Sequence, residues 1–258
     1  MANPLKTITQ HLLIKALGFR RYLFLVAEAR IRTMALLGYE EDFLFFAAMI
    51  PKGCVILDIG ANIGVTTFFL ARTNPDCVVH SFEPVPDNLD SLERVVSRFK
   101  LDSVVVHRCG LGDRPGKIPM IMPVIGGIPR HALCQVDDGH SKYHNGIRFE
   151  VEIKRLDEIA GVKDSPNVKA IKIDVENFEF SALSGGLDLI RRCRPVIFCE
   201  LSDDKARVID LLDSLGYTRM RYEQGTLGPV EKTNSGGGNY FFIPQEGVPS
   251  VRITHKSV

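Results

Sequence analysis

The chain of 258 residues has no CxxC pair, no internal repeat, no low-complexity tract and no excess of either charge. It has no apolar run near the roughly 20 residues that a membrane-spanning helix needs. Its first ten residues lack the apolar core and small-residue cleavage site of a secretory signal. Each absence narrows the reading. With 32 basic against 31 acidic residues the net charge is +1, so nothing draws the whole chain toward nucleic acid, and no nucleic-acid partner is expected. Six cysteines are present: Cys54, Cys77, Cys109, Cys134, Cys193 and Cys199. Cys54, Cys77, Cys193 and Cys199 sit in or beside apolar runs, where a free thiol packs as a small hydrophobe. Zinc sites and disulfide frameworks are therefore set aside, and a cytoplasmic chain is expected.

What is present is the composition of a globular enzyme, 45% hydrophobic and 24% charged. The length allows one domain with an appendage. Residues 1–40 read as a helical extension and residues 41–258 as the main domain. Residues 5–37 contain no proline and one internal glycine, Gly18. Leu12, Leu13, Ala16 and Leu17, then Phe24, Leu25, Ala27, Ile31 and Met34, recur at helical spacing between basic residues. One or two amphipathic helices are expected, broken at Gly18. They could cap the main domain, lie on a membrane surface or pair two copies.

From residue 40 onward strands and helices alternate. Strands are expected over 54–59, 78–83, 103–109, 170–174 and 195–200, and helices over 63–72, 86–100, 179–192 and 203–215. Two strands, 216–222 and 239–243, close the chain as an antiparallel pair. Near-continuous apolar strands joined by helices imply an open α/β sheet covered on both faces. Residues 110–155 break this rhythm with Pro115, Pro119, Pro123, Pro129 and Gly126–Gly127. They carry His131, His140 and His144, and read as an insertion over a ligand site.

Four segments carry chemistry at the strand ends. VILDIGANIG places Asp58, Gly60, Asn62 and Gly64 where the first strand meets the first helix. Ligands of open α/β sheets bind there, and a helix start with free N–H groups suits a carboxylate. S-adenosylmethionine (SAM) has a carboxylate and an ammonium, and Asp58 could accept from that ammonium or organise the loop. Glu83, followed by Pro84, ends the second strand 23 residues after Gly60, where a carboxylate can take both hydroxyls of a ribose. Cys109, Gly110 and Leu111 follow the third strand, where adenine would lie. AIKIDVENFEF sets Asp174 and Glu176 at the end of the fourth strand. Two carboxylates beside a desolvated cleft suit substrate binding, base chemistry or a divalent ion, with Glu200 as a partner for a metal at Asp174. Glu179 begins a helix and could serve as its cap.

VILDIGANIGVTTFFLAR, the EP of SFEP, IKIDVENFE and NYFFIP together resemble the FkbM-type SAM-dependent methyltransferase family, over about residues 43–244. The resemblance implies a class I, Rossmann-like sheet of seven strands in the order 3-2-1-4-5-7-6. It implies methyl transfer to an oxygen of a sugar, glycan or secondary metabolite. Asp58, Gly60, Asn62, Gly64 and Glu83 would hold SAM, and Asp174 and Glu176 would lie by the acceptor. Asn177 stands where the family commonly has glycine. The expected reaction is an in-line SN2 transfer, with Asp174, Glu176, His131 or His144 taking the acceptor proton. Two other readings remain open. One is a nicotinamide-dependent oxidoreductase, since Glu83 also suits the ribose of NAD. The other is a SAM-binding interaction protein without catalysis.

Overall fold

The computed structural model describes residues 4–37, 40–137, 139, 145–201, 205–230 and 237–250. The helical extension forms α1 (Pro4–Leu17) and α2 (Phe19–Leu37), and the break falls at Gly18. A third helix, α3 (Glu41–Met49), follows where the sequence reading placed none. Its acidic first turn, Glu41 and Asp42, complements the helix dipole, and Phe43, Phe45 and Phe46 are buried. The alternation then begins with β1 (Val55–Ile59), α4 (Val65–Thr73), β2 (Val78–Phe82), α5 (Pro86–Phe99) and β3 (Val104–His107).

Residues 110–155 do more than loop over the domain. They hold β4 (Gly110–Leu111), β5 (Gly116–Ile125), β6 (Ile128–Pro129), β7 (Gln135–Val136) and β8 (Gly146–Lys154). β5 and β8 pair antiparallel from Gly116↔Ile153 to Pro123↔Gly146. Pro119 lies mid-strand in β5, and its backbone is used on the side of β7, where its carbonyl accepts from the Asp137 N–H. His140 and His144 lie outside the described residues.

The second half of the main sheet comprises β9 (Val168–Ile173), α6 (Glu179–Ser184), α7 (Leu187–Cys193), β10 (Val196–Leu201), α8 (Lys205–Ser214), β11 (Tyr217–Glu223), β12 (Thr226–Pro229) and β13 (Gly238–Pro244). One helix was expected over 179–192. Two are found, separated where Gly186 leaves helical geometry at φ −125°; at Gly185 a Cβ would stand 2.0 Å from the Gly112 carbonyl oxygen, so glycine is needed there. The sheet has eight strands, in the order β12-β11-β13-β10-β9-β1-β2-β3, against the seven expected. The additional strand is β12, an outer edge strand paired to β11.

β1, β2, β3, β9 and β10 run parallel, and β13 enters antiparallel to β10. Side chains alternate between the two faces. Ile56, Ala170, Phe198 and Phe241 meet α2, α3, α4 and α5 on one side. Leu57, Ile59, Ile171, Ile173 and Phe242 meet α6, α7 and α8 on the other. Leu23, Ala27, Ile31 and Met34 form the buried stripe of α2, each no more than 4% exposed. Among the described side chains of α1 none is buried, and Ile8 and Leu12 are exposed.

Candidate functional site

The loop between β1 and α4 is built from its own sequence outward. Asp58 and Lys172 are register partners on the adjacent strands β1 and β9. Both are buried, so each needs its charge met. Thr66 Oγ1 donates to both Asp58 carboxylate oxygens at 3.2 and 3.0 Å, and Thr67 Oγ1 donates to Oδ2 at 2.6 Å. Lys172 Nζ donates to the Gly60 carbonyl at 2.9 Å and lies 3.6 Å from Asp58 and 3.7 Å from Asp174. Of the two roles open to Asp58, the geometry realises the organising one. Gly60 has φ 78°, and a Cβ there would stand 1.9 Å from the Asp174 carbonyl oxygen, so only glycine fits. Gly64 caps α4 and packs on Leu92 and Val95 of α5.

Glu83 directly follows β2 and is 4% exposed. Its carboxylate accepts from the backbone N–H of Asn62 at 2.8 Å and of Val85 at 2.9 Å, and from Asn88 Nδ2 at 3.4 Å. Burial raises its pKa to about 7 against these bonds, which pull the other way. Beside it, Asn88 Oδ1 is buried with no hydrogen-bond partner. Two acceptors thus stand together, one with lone pairs left and one with none used.

Three cavities share Gly60. The first is an apolar slot lined by Phe82, Pro84, Gly110, Leu111 and Val175, and closed from the insertion by Ile118, Met120, Val136 and Ile153. Cys109 does not line it; its side chain packs in the core and burial pushes the thiol up to about 11. A second cavity of about 260 Å³ holds Glu83, Pro84, His131, Asp174, Glu176 and Glu200. The third, about 360 Å³, is charged, with Arg30, Glu40, Asn62, Thr66, Lys172 and Asp174. A flat apolar base, a pair of hydroxyls and a zwitterion match this succession, so the residues present fit a nucleoside carrying an amino-acid end.

The carboxylates expected at the fourth strand end are brought together with one more. Asp174 side chain is 40% exposed, and Glu176 and Glu200 are exposed at the rim. Partial burial and then the charge of Asp174 raise the Glu200 carboxyl above its ordinary value. Glu176 and Asn177 take φ 49° and 70°, so asparagine sustains the left-handed turn where glycine is common. Glu179 is buried, and its Oε1 accepts from the Val175 N–H at 3.2 Å, which makes it a tie for the turn. His131 Nδ1 lies 3.0 Å from Asn62 Oδ1. Burial, and then the charge of Arg30, lower its pKa to about 4, so the ring is neutral near neutral pH. Among the described residues no three His, Cys, Asp or Glu side chains are grouped to hold a metal ion.

Lys172, Arg30 and Asn88 escaped the sequence reading, Asn88 although it stood in SFEPVPDN with Glu83. Lys172 stood in the apolar run IKI, where a charge inside a buried strand was the available signal. Arg30 belongs to α2, outside every motif, and carried no signal of its own.

Fold and site together define an α/β methyltransferase. The chain belongs to the FkbM methyltransferase family, whose methyltransferase FkbM domain matches residues 58–219. That membership displaces the oxidoreductase reading. The chain is similar to Methyltransferase 1 of Beauveria bassiana (strain ARSEF 2860), 28% identical over 194 residues that cover 68% of this chain and 77% of that protein. It is similar to the 31-O-demethyl-FK506 methyltransferase FkbM of Streptomyces tacrolimicus, 27% identical over 205 residues, 69% of this chain and 78% of that one. Among solved structures, methyltransferase FkbM from Methylobacillus flagellatus KT has a TM-score of 0.51 at 15% identity. That alignment covers 89% of this chain and 59% of the other, and the likeness is one of fold.

Proposed function

We propose that the chain is a SAM-dependent O-methyltransferase acting on a hydroxyl of a sugar, glycan or secondary metabolite. The observation that carries this reading is the row of three cavities joined at Gly60: apolar slot, buried carboxylate, charged end. SAM would supply a methyl group on a sulfonium, open to in-line SN2 attack by the acceptor oxygen. The slot holds the adenine, and Glu83 with Asn88 Oδ1 receives the ribose hydroxyls. Asp174 faces the ammonium. Glu176 and Glu200 bound the acceptor side, and Glu200, with its raised pKa, is the better matched base for the hydroxyl proton. His131 is a weak base at pKa about 4, and its bond to Asn62 makes it a positioning residue for the loop. The name of the FK506 methyltransferase supports oxygen as the methylated atom. The buried, unpaired thiols support a reducing, cytoplasmic setting.

Calorimetric titration with SAM, S-adenosylhomocysteine and NAD tests the cofactor, and transfer of tritiated methyl to a panel of hydroxylated acceptors tests the reaction. Micromolar binding of SAM and its product, with none of NAD, is expected. Binding of NAD alone would overturn the cofactor assignment, and label recovered on nitrogen or carbon would overturn O-methylation.

A further inference from the structure

The charged cavity holds two cations, Arg30 and Lys172, and two anions, Asp174 and Glu40. Lys172 is already engaged: the Gly60 carbonyl, Asp58 and Asp174 surround its ammonium at 2.9, 3.6 and 3.7 Å. Two other arginines on the same helix are taken as well. Arg20 pairs with Asp87 at 2.7 Å, and Arg32 pairs with Glu28 at 3.6 Å. Arg30 forms no ion pair among the described residues, yet it lines both the charged cavity and the neighbouring one that holds Glu83 and His131. It reaches them from α2, whose buried stripe of Leu23, Ala27, Ile31 and Met34 fixes the helix against the domain. Docking of α2 thus places Arg30 at the mouth of the site, where no partner charge among the described residues engages it.

We infer that Arg30 binds the carboxylate of the methionine end of SAM, so that the N-terminal extension completes the cofactor site. This rests on the SAM reading above. Asp174 meets the ammonium and Arg30 the carboxylate, and the zwitterion is matched end for end. Lys172 is buried and its charge is already met by Asp58 and Asp174, whereas Arg30 has no such partner among the described residues. A guanidinium suits the task, because its planar fork matches a carboxylate with two parallel bonds. The matched family domain begins at residue 58, so this contact comes from a part of the chain that the domain does not include.

Calorimetry of the full chain with SAM and with decarboxylated SAM, which keeps the ammonium and lacks the carboxylate, tests the assignment. Arg30→Ala should weaken SAM by about tenfold to a hundredfold and leave decarboxylated SAM unchanged. Arg30→Lys should recover part of the loss. Equal weakening of both ligands, or of neither, would overturn it. A wild-type chain that binds neither ligand would fail the SAM reading itself, and the Arg30 assignment with it.

Discussion

Glu83 serves two conflicting demands. Burial raises its carboxyl to about 7, while ribose hydroxyls would bind its charged form. For a carboxyl whose folded value is raised, the stabilisation is complete below the ordinary value of 4.5 and is lost as pH rises toward 7. The ligand-free fold therefore weakens over that window, and the site gains its acceptor as the fold gives up that stability. SAM affinity measured by calorimetry should tighten about tenfold from about pH 6 to about pH 8, and Glu83→Gln should flatten the profile. A wild-type profile that is already flat would contradict the role. Lys172 poses the opposite case. It is buried, but Asp174 and Asp58 hold its pKa above the ordinary lysine value despite the desolvation that lowers it. Removing one partner of such a buried pair costs about 3–5 kcal/mol, because a charge is left unmet.

The two N-terminal helices differ in what they bury. α2 contributes a full stripe to the core, and α1 leaves Ile8 and Leu12 exposed beside basic residues such as Lys15. Removing residues 1–17 should leave the unfolding temperature within a few degrees and abolish cosedimentation with anionic vesicles. Removing residues 1–37 should strip cover from α5 and yield insoluble or strongly destabilised protein. Full-length chain that does not sediment with vesicles would end the membrane reading of α1. The elements that motif reading recovered are those whose signal is local. The β1–α4 loop, with Asp58, Gly60 and Asn62, sits within five residues, and its glycine turn is written in those residues. α3 was missed because FLFFAA is a short apolar run that periodicity cannot assign. β12 was missed because Thr226–Pro229 contains Gly228 and Pro229, both poor in strands, and only pairing with β11 makes it one. Arg30 was missed for a third reason: its meaning depends on how α2 docks, and no local pattern records that.

At the scale of the molecule, every cysteine is enclosed: five in the two large core clusters, and Cys134 under the insertion against Val85 and Met122. All six are buried and unpaired. Burial, and then the neighbouring Cys77, push the Cys54 thiol up to about 12. A thiol reagent should therefore label the native chain slowly and all six thiols at once after denaturation. Rapid labelling of several thiols in the native chain would contradict this packing. The sheet order carries a different consequence. β13 lies between β10 and β11, although it is made after both. During synthesis β10 and β11 cannot pair with each other across the gap, and each presents a bare edge until residues 238–244 leave the ribosome. Phe241 and Phe242, one for each face of the sheet, arrive with that strand. The nascent chain is thus exposed to edge-to-edge aggregation until β13 is made, and chaperone demand should rise with any delay in making residues 238–244.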